Sequence, residues 1–478
     1  MPSSAEKISS DSDPNQLITS CFVSPSKDTL TVSFHNATAV FHAQWLHDAR
    51  CDTGSERRAS QVFCQQLNAV RIQSASVSGS GVKTTLDVTW DHESTTPFPA
   101  VWLQLLAPFV AKKLQPIAEV EKPTICKGWL ANELVIPEIS YQKVVGEHLS
   151  NEEFLATKSW ILDTLLLDGS PGIIKIIDLP EVDTYTESTQ VGNLLTDTLK
   201  LLFGAVFQHS MRPPDATFKI ASYYHESTSR ITELPNYDTS EILLPHADHS
   251  HYDNPVRVQG LHAVQGHSEN TFIDAFAALN TLHGEEPALY DALCTAPYIL
   301  GRVAQFYSPA LYQTTVDTAV RMMPGYPGKI KCIRWHPHLA GYLLSSYEDY
   351  EMARRAHCKF QEIVRRDSHQ VKVKFNPGDM YVWDNFRLLH GREKIFSTPR
   401  MAIGQTVIEQ VVNDHYRVKQ MDFLSRFIGE HWLVQTPTWQ LDNFVKLVKE
   451  AAIDSPFSPT TSKGLDKERV GNSGNGSL

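Results

Sequence analysis

The sequence predicts a mainly β protein with flanking helices, in which a small β-rich N-terminal domain precedes a larger antiparallel sandwich. Three observations carry that expectation. Short apolar runs with a two-residue period recur along most of the chain between clusters of turn-forming residues. Helical patterns are fewer and fall between those runs, as helices that cover a sheet should. No fixed-period repeat is present, which argues against a solenoid or a propeller.

In chain order, residues 1–16 are polar and Ser/Asp-rich and are expected to be disordered. Residues 17–106 read as the small β domain, through Leu30-Thr-Val-Ser-Phe34, Ala39-Val-Phe-His-Ala43 and Leu86-Asp-Val-Thr-Trp90. Residues 107–149 form a mixed, Pro-containing connector. Ser150-Asn-Glu-Glu153 then reads as a capping box that opens a helix to about Leu167, and a second domain is expected over 150–454. Within it, helical patterns at 195–208 and 347–366 are outnumbered by strand candidates at 173–177, 218–224, 257–264, 329–335, 371–375, 380–383 and 401–407. The tail 455–478, rich in Ser, Gly, Thr and Asn, is expected to be disordered.

Composition narrows the function. Lys plus Arg number 43 against 54 Asp plus Glu, a formal net charge of −11, which gives a phosphate backbone little reason to approach and makes nucleic acid an unexpected partner. The 7 cysteines are scattered without a CxxC pair, which fits reduced thiols in a cytoplasmic protein. The first residues carry Glu6, Asp11 and Asp13, unlike a transit peptide, and apolar stretches such as Gly172-Ile-Ile-Lys-Ile-Ile-Asp178 fall short of the roughly 20 residues a bilayer requires, so neither targeting nor membrane association is expected. GxGxxG, GxxxxGK[ST] and GxSxG are all absent, which removes the common nucleotide and serine-hydrolase readings.

The densest group of metal-capable residues is Leu243-Leu-Pro-His-Ala-Asp-His-Ser-His-Tyr252. His246 and Asp248 stand two apart, and on an extended chain residues i and i+2 point the same way, so one ion is within reach of both. The best third ligand is His390, at the end of a strand that a Pro-Gly turn launches at Asn376-Pro-Gly378. Two histidines and a carboxylate leave three positions of a ferrous ion open for a bidentate 2-oxo acid and dioxygen. Ten residues on, Arg400 begins the apolar run Met401-Ala-Ile-Gly404, and its guanidinium suits the distal carboxylate of such an acid. Taken alone, an HxD pair arises often by chance and an arginine at this position is equally suited to a surface ion pair.

Two segments, His246-Ala-Asp-His-Ser-His-Tyr-Asp-Asn-Pro-Val-Arg-Val-Gln-Gly-Leu-His262 and Asp384-Asn-Phe-Arg-Leu-Leu-His-Gly-Arg392, resemble the gamma-butyrobetaine and trimethyllysine dioxygenases of the wider TauD/TfdA group, whose HTD and DNWRxLHGR motifs they match. Trp45-Leu-His-Asp48 is similar to the WLRD of the same family's N-terminal domain. The resemblance implies a double-stranded β-helix (jelly roll) that binds Fe(II) through His246, Asp248 and His390 and 2-oxoglutarate through Arg400 and Thr271. It implies oxidation, by default hydroxylation, of an unactivated carbon, with ascorbate as a supporting reductant. The partners implied are a small-molecule substrate and dioxygen.

The family's N-terminal domain usually carries a structural zinc. Here its Cys-x-Cys-x-x-Cys is replaced by Arg50-Cys-Asp-Thr-Gly-Ser-Glu56, which leaves Cys51 and His92 as remnants. Two ligands do not close a zinc site, so no structural zinc is expected and the domain is expected to serve packing or homodimerisation. Of the aromatic cage that holds a trimethylammonium group in relatives, Tyr224 and Tyr237 fall near two positions, whereas Thr228 and Thr406 replace a Trp and a Tyr. Arg334, His336 and His338 lie where relatives line the substrate pocket. An amino acid or a related small polar metabolite is therefore the expected substrate, with a betaine or trimethyllysine as the alternative. Two further readings stay open: a zinc hydrolase on the same triad, against which Arg400 speaks, and an inactive scaffold, against which the complete triad speaks.

Overall fold

A computed structural model of the protein describes residues 17–35, 37–50, 70–91, 94–113, 127–182, 193–207, 218–225, 230–233, 242–304, 311–324, 328–395, 400–429, 432–433 and 435–453. It divides into a unit comprising 1–118 with 420–478 and a larger unit comprising 119–419. Cys51 and His92, the remnants of the family's zinc site, lie outside the described residues.

The smaller unit holds two antiparallel sheets. One runs Ile18–Val23, Thr29–Phe34, Ala37–His42, Lys112–Lys113, and the other Ile72–Ser78, Thr85–Trp90, Thr95–Pro99. Strict alternation places Leu30, Val32 and Phe34, and likewise Leu86, Val88 and Trp90, on the buried side of their strands. The core they form is closed by two helices. Ala100–Val110 contributes Val101, Trp102 and Leu103, although a connector was expected from 107 onward; Pro108 removes one i→i−4 hydrogen bond, and the helix ends two residues later. Leu441–Ile453 contributes Leu441, Phe444 and Val448, so the chain's last described helix belongs to this core rather than to the stretch 150–454 in which the sequence placed it.

The larger unit is built on two sheets. The first has seven strands in the order Arg230–Glu233, Phe218–His225, Arg400–Ile408, Val256–Gln265, Met380–Asp384, Ile173–Ile177, Glu138–Ser140. Only the last pair is parallel. The second has four, in the order Leu243–His246, Leu388–Arg392, Ser268–Asp274, Val371–Phe375. Met380–Asp384 is buried at every position because both of its faces are covered. Tyr381 and Trp383 point inward to Phe272, Phe375 and Leu388 of the second sheet, whereas Met380 and Val382 point outward to the helices Asn151–Leu166 and Leu194–Phe203. The capping box at Ser150 and Glu153 is formed as the sequence predicts. The helix expected over 195–208 ends at Phe203, because Gly204 adopts φ +77 and closes it.

Asp274 joins these layers. Its carboxylate is fully buried, caps the helix Ala275–Glu285 by accepting from the Phe276 and Ala277 amides at 3.0 and 3.4 Å, and accepts from the Trp129 amide at 3.0 Å. It also receives Arg387 Nε at 3.0 Å and Nη2 at 2.6 Å. Asp274→Ala would leave the Arg387 charge buried and alone, and a loss of about 3–5 kcal/mol in urea unfolding is expected; an unchanged midpoint would show that this pair does not hold the layers.

Candidate metal centre

The centre starts from a backbone register. Leu243–His246 pairs antiparallel with Leu388–Arg392 so that His246 stands directly opposite His390. Gly391 permits the approach: a Cβ there would lie 2.8 Å from the Leu243 carbonyl oxygen and 3.2 Å from the Pro245 nitrogen. The two imidazoles consequently sit 4.3 Å apart, centroid to centroid. The strand ends at His246, and Asp248 lies in the turn beyond it rather than on an extended chain. Its carboxylate nevertheless comes back to the histidines, with Oδ1 3.4 Å from His246 Nε2 and Oδ2 3.7 Å from His390 Nε2. The ligand atoms of all three lie within 4.8 Å of one another, and no other group of three or more His, Cys, Asp or Glu with metal-site spacing occurs among the described residues.

Neighbouring residues hold His246 and Asp248, whereas His390 Nδ1 is buried without a hydrogen-bond partner among the described residues. His246 Nδ1 stands 2.8 Å from the Leu244 carbonyl oxygen, so it carries the proton and leaves the Nε2 lone pair facing Asp248. Gln259 Nε2 donates to Asp248 Oδ2 at 2.5 Å. Asn385 secures the Asp248 backbone at both ends: its Oδ1 accepts from the Asp248 amide at 2.9 Å, and its Nδ2 donates to the Asp248 and Val256 carbonyls, each at 3.0 Å. The next residue, His249, takes a left-handed φ of 57°, which turns the chain sharply just after the ligand. Asn385 and Gln259 were not singled out from the sequence, since an amide side chain gives no sign of which distant backbone it will meet.

The electrostatics suit a cation. Burial raises the Asp248 carboxyl, but the contact with His246 and the closeness of His390 and His249 outweigh it and hold the group well below the usual carboxylate range. Burial, with His246 beside it, pushes the His390 imidazole down to about 3. An ionised carboxylate beside a neutral imidazole is the protonation state that metal binding demands, so this donor set fits a divalent ion.

Arg400 opens the strand Arg400–Ile408 and is buried, and no carboxylate or hydrogen-bond acceptor partners its guanidinium among the described residues. Burial and the neighbouring Arg392 push it down to about 9, so it stays charged at neutral pH without a counter-ion. Thr271 is buried on Ser268–Asp274, opposite Gly391 and next to Phe272, which faces His390. Arg334 is fully buried with its donors engaged, to Asp317, to the Ser250 carbonyl at 3.2 Å and 2.6 Å, and to the Tyr252 carbonyl. His336 packs its ring 4.4 Å from that of His246, and His338 Nε2 accepts from the Leu244 amide at 3.0 Å. Tyr224 lies on Phe218–His225 with its backbone opposite Ile231, and Tyr237 is outside the described residues.

His246→Ala and His390→Ala are each expected to abolish stoichiometric Fe(II) binding in anaerobic equilibrium dialysis while leaving the circular dichroism spectrum unchanged. Retention of one equivalent of iron by either variant would remove that histidine from the ligand set.

Residues 196–404 match the family model described as taurine catabolism dioxygenase TauD, TfdA family. A trimethyllysine dioxygenase from Neurospora crassa is 26% identical over 171 residues, a match that covers 33% of this chain and 31% of that protein. Among solved structures, a taurine dioxygenase from Burkholderia xenovorans aligns with a TM-score of 0.37 at 14% identity over 55% of this chain and 84% of its own. An asparagine oxygenase in complex with Fe(II), 2S,3S-3-hydroxyasparagine and succinate aligns with a TM-score of 0.40 at 13% identity over 57% of this chain and 93% of its own. The His246, Asp248 and His390 triad falls inside the span 196–404 that matches the TauD/TfdA family model.

Proposed function

We propose that this protein is an Fe(II)- and 2-oxoglutarate-dependent dioxygenase that oxidises, by default hydroxylates, an unactivated carbon of a small polar metabolite, with the two sheets of the larger unit as the walls of a jelly roll. The observation that carries the proposal is the triad of two buried histidines, His246 and His390, with the half-buried Asp248, in a span that matches the TauD/TfdA family model and also buries an arginine, Arg400, with no counter-ion among the described residues. His246, Asp248 and His390 hold the iron, and Arg400 with Thr271 receives the distal carboxylate of 2-oxoglutarate. When bound, iron and 2-oxoglutarate supply the oxidising equivalents, with dioxygen consumed and succinate released.

The protein's own residues prepare that chemistry. The Leu244 carbonyl holds the His246 proton on Nδ1, which directs Nε2 toward the ion. Gln259 and Asn385 restrict Asp248, the one ligand that is not on a strand, to a single orientation. Arg400 binds a carboxylate where burial has removed competing water, which strengthens the pairing and selects a dicarboxylic co-substrate over a mono-acid. A zinc hydrolase would leave this buried charge without a purpose.

Protein purified under argon and supplied with Fe(II), 2-oxoglutarate and oxygen is expected to release succinate, faster with amino acids or betaines in the assay, and His246→Ala is expected to release none. Failure to bind both iron and 2-oxoglutarate would instead favour a scaffolding role. Arg400→Gln is expected to raise the KM for 2-oxoglutarate about 10- to 100-fold, the loss of a charge-assisted hydrogen bond, with iron binding intact.

A further inference from the structure

The chain just after Asp248 is held by two guanidinium groups that share one carboxylate. The carboxylate is that of Asp317, on a hairpin outside both main sheets whose strands are Pro297–Ala304 and Leu311–Thr318. It binds Arg334, which follows the strand Ile330–Ile333, and Arg321, on the strand Val320–Met322 that pairs with it. Arg334 is fully buried, and its other two nitrogens turn to the chain after Asp248: Nε and Nη2 donate to the Ser250 carbonyl at 3.2 and 2.6 Å, and Nη2 also donates to the Tyr252 carbonyl. Arg321 donates to the Asp253 carbonyl at 3.3 and 3.4 Å. Gln313 and Thr315, which alternation places on the same face of the hairpin as Asp317, meet side chains of this segment. Gln313 Oε1 lies 3.2 Å from His251 Nε2, and Thr315 Oγ1 donates to Asp253 Oδ1 at 2.9 Å.

The backbone of Arg334 is itself fixed. Its amide donates to the Ala319 carbonyl at 2.8 Å, and its carbonyl accepts the Tyr298 hydroxyl. The next carbonyl, that of Trp335, accepts from the Ala247 amide at 2.7 Å, between the two candidate ligands His246 and Asp248. Ser250 Oγ donates back to the Ala247 carbonyl at 2.7 Å and closes the turn. Asp248 therefore stands between Ala247 and Ser250, and residues 334 and 335 hold both. One side chain meets a carboxylate and two carbonyls here, which a planar fork with donors on three nitrogens can do and a single ammonium does less well.

We propose that Arg334, anchored by Asp317, is a positioning residue of the centre: by holding the Ser250 and Tyr252 carbonyls it fixes the turn on which Asp248 stands, and so sets how tightly the triad takes up a divalent ion. The assignment rests on the reading of His246, Asp248 and His390 as a metal centre. Asp248 is the one ligand that no strand holds, so its place is set by the hydrogen bonds on either side of it. Asn385 binds Asp248 itself, and Arg334 binds the residues that follow. Without the Arg334 donors, two carbonyls of the turn lose their partner, one of them two residues from Asp248, and the carboxylate loses its fixed approach to His246 and His390.

The test is titration of the metal-free full chain with Mn(II) under argon, followed by the paramagnetic resonance of the free ion, beside urea unfolding of the same proteins. The proteins compared are wild type, Arg334→Met, Arg334→Lys and the double variant Arg334→Met with Asp317→Asn. Arg334→Met is expected to weaken Mn(II) binding about 10- to 100-fold, the usual effect of removing a residue that orients a metal ligand. It is also expected to lower the urea midpoint, because breaking a buried ion pair leaves the remaining charge without compensation. Arg334→Lys should recover part of the affinity. The double variant separates positioning from support of the fold: it removes the leftover charge, so most of the midpoint returns, whereas Mn(II) binding stays as weak as in Arg334→Met because the carbonyls still lack their donors. The assignment is overturned if Arg334→Met binds Mn(II) as tightly as wild type, or if the double variant regains affinity together with stability. If Arg334→Met does not fold, the double variant and Arg334→Lys decide by the same comparison. Wild type that binds no Mn(II) overturns the reading of the centre, and this assignment with it.

Discussion

The centre depends on one backbone contact, the close antiparallel pairing of Leu243–His246 with Leu388–Arg392. Hydrogen-bonded strands lie about 4.8 Å apart, and side chains placed directly opposite each other inherit that spacing. Two imidazoles at such positions need no further device to share an ion. What they need is for the strands to come together, and that depends on the absence of a side chain at Gly391. The third ligand, which no strand holds, is the one that receives most support: an amide clamp on its backbone, a second amide on its carboxylate, and a sharp turn after it.

The stretch from Asp384 to Arg392 shows why its pattern is specific. Asp384 accepts from the Phe386 amide and turns the chain, Asn385 clamps the Asp248 backbone, Arg387 neutralises the buried Asp274, His390 is a candidate ligand, and Gly391 admits the neighbouring strand. Phe386, Leu388 and Leu389 are buried in the packing between these polar residues. Arg392 contributes differently, by withholding relief from Arg400: two cations in a buried region raise the affinity of the place for an anion. Almost every position of the segment is thereby engaged in folding or in the centre.

Much of this was legible in the sequence where period and punctuation agree. Val371–Phe375 and Ile173–Ile177 were bounded correctly because turn residues flank clean apolar runs, and the Ser150 cap is a local signal that needs no tertiary information. His246, Asp248 and His390 are brought together as their spacing and their resemblance to the family suggested. Other features depend on distant contacts. Ser268–Asp274 reads as polar because Ser268, Asn270 and Asp274 are satisfied internally, so its strand character was hidden. The helix Leu441–Ile453 has an apolar face whose partner cannot be read locally, and it belongs to the core of the N-terminal strands. Arg334 carries the same charge as any exposed arginine, yet its donors are taken up by Asp317 and two carbonyls, a commitment visible only once the hairpin is in place.

The placement of the two histidines on hydrogen-bonded strands also bears on how the protein acquires its ion. In a site assembled from loops, the metal organises the ligands and its departure collapses them. Here the spacing of the imidazoles is dictated by the sheet and the carboxylate is anchored by amides, so hydrogen bonds of the protein itself arrange the three candidate ligands. Uptake of an ion at such a centre is thereby separated from the folding of the strands that carry it.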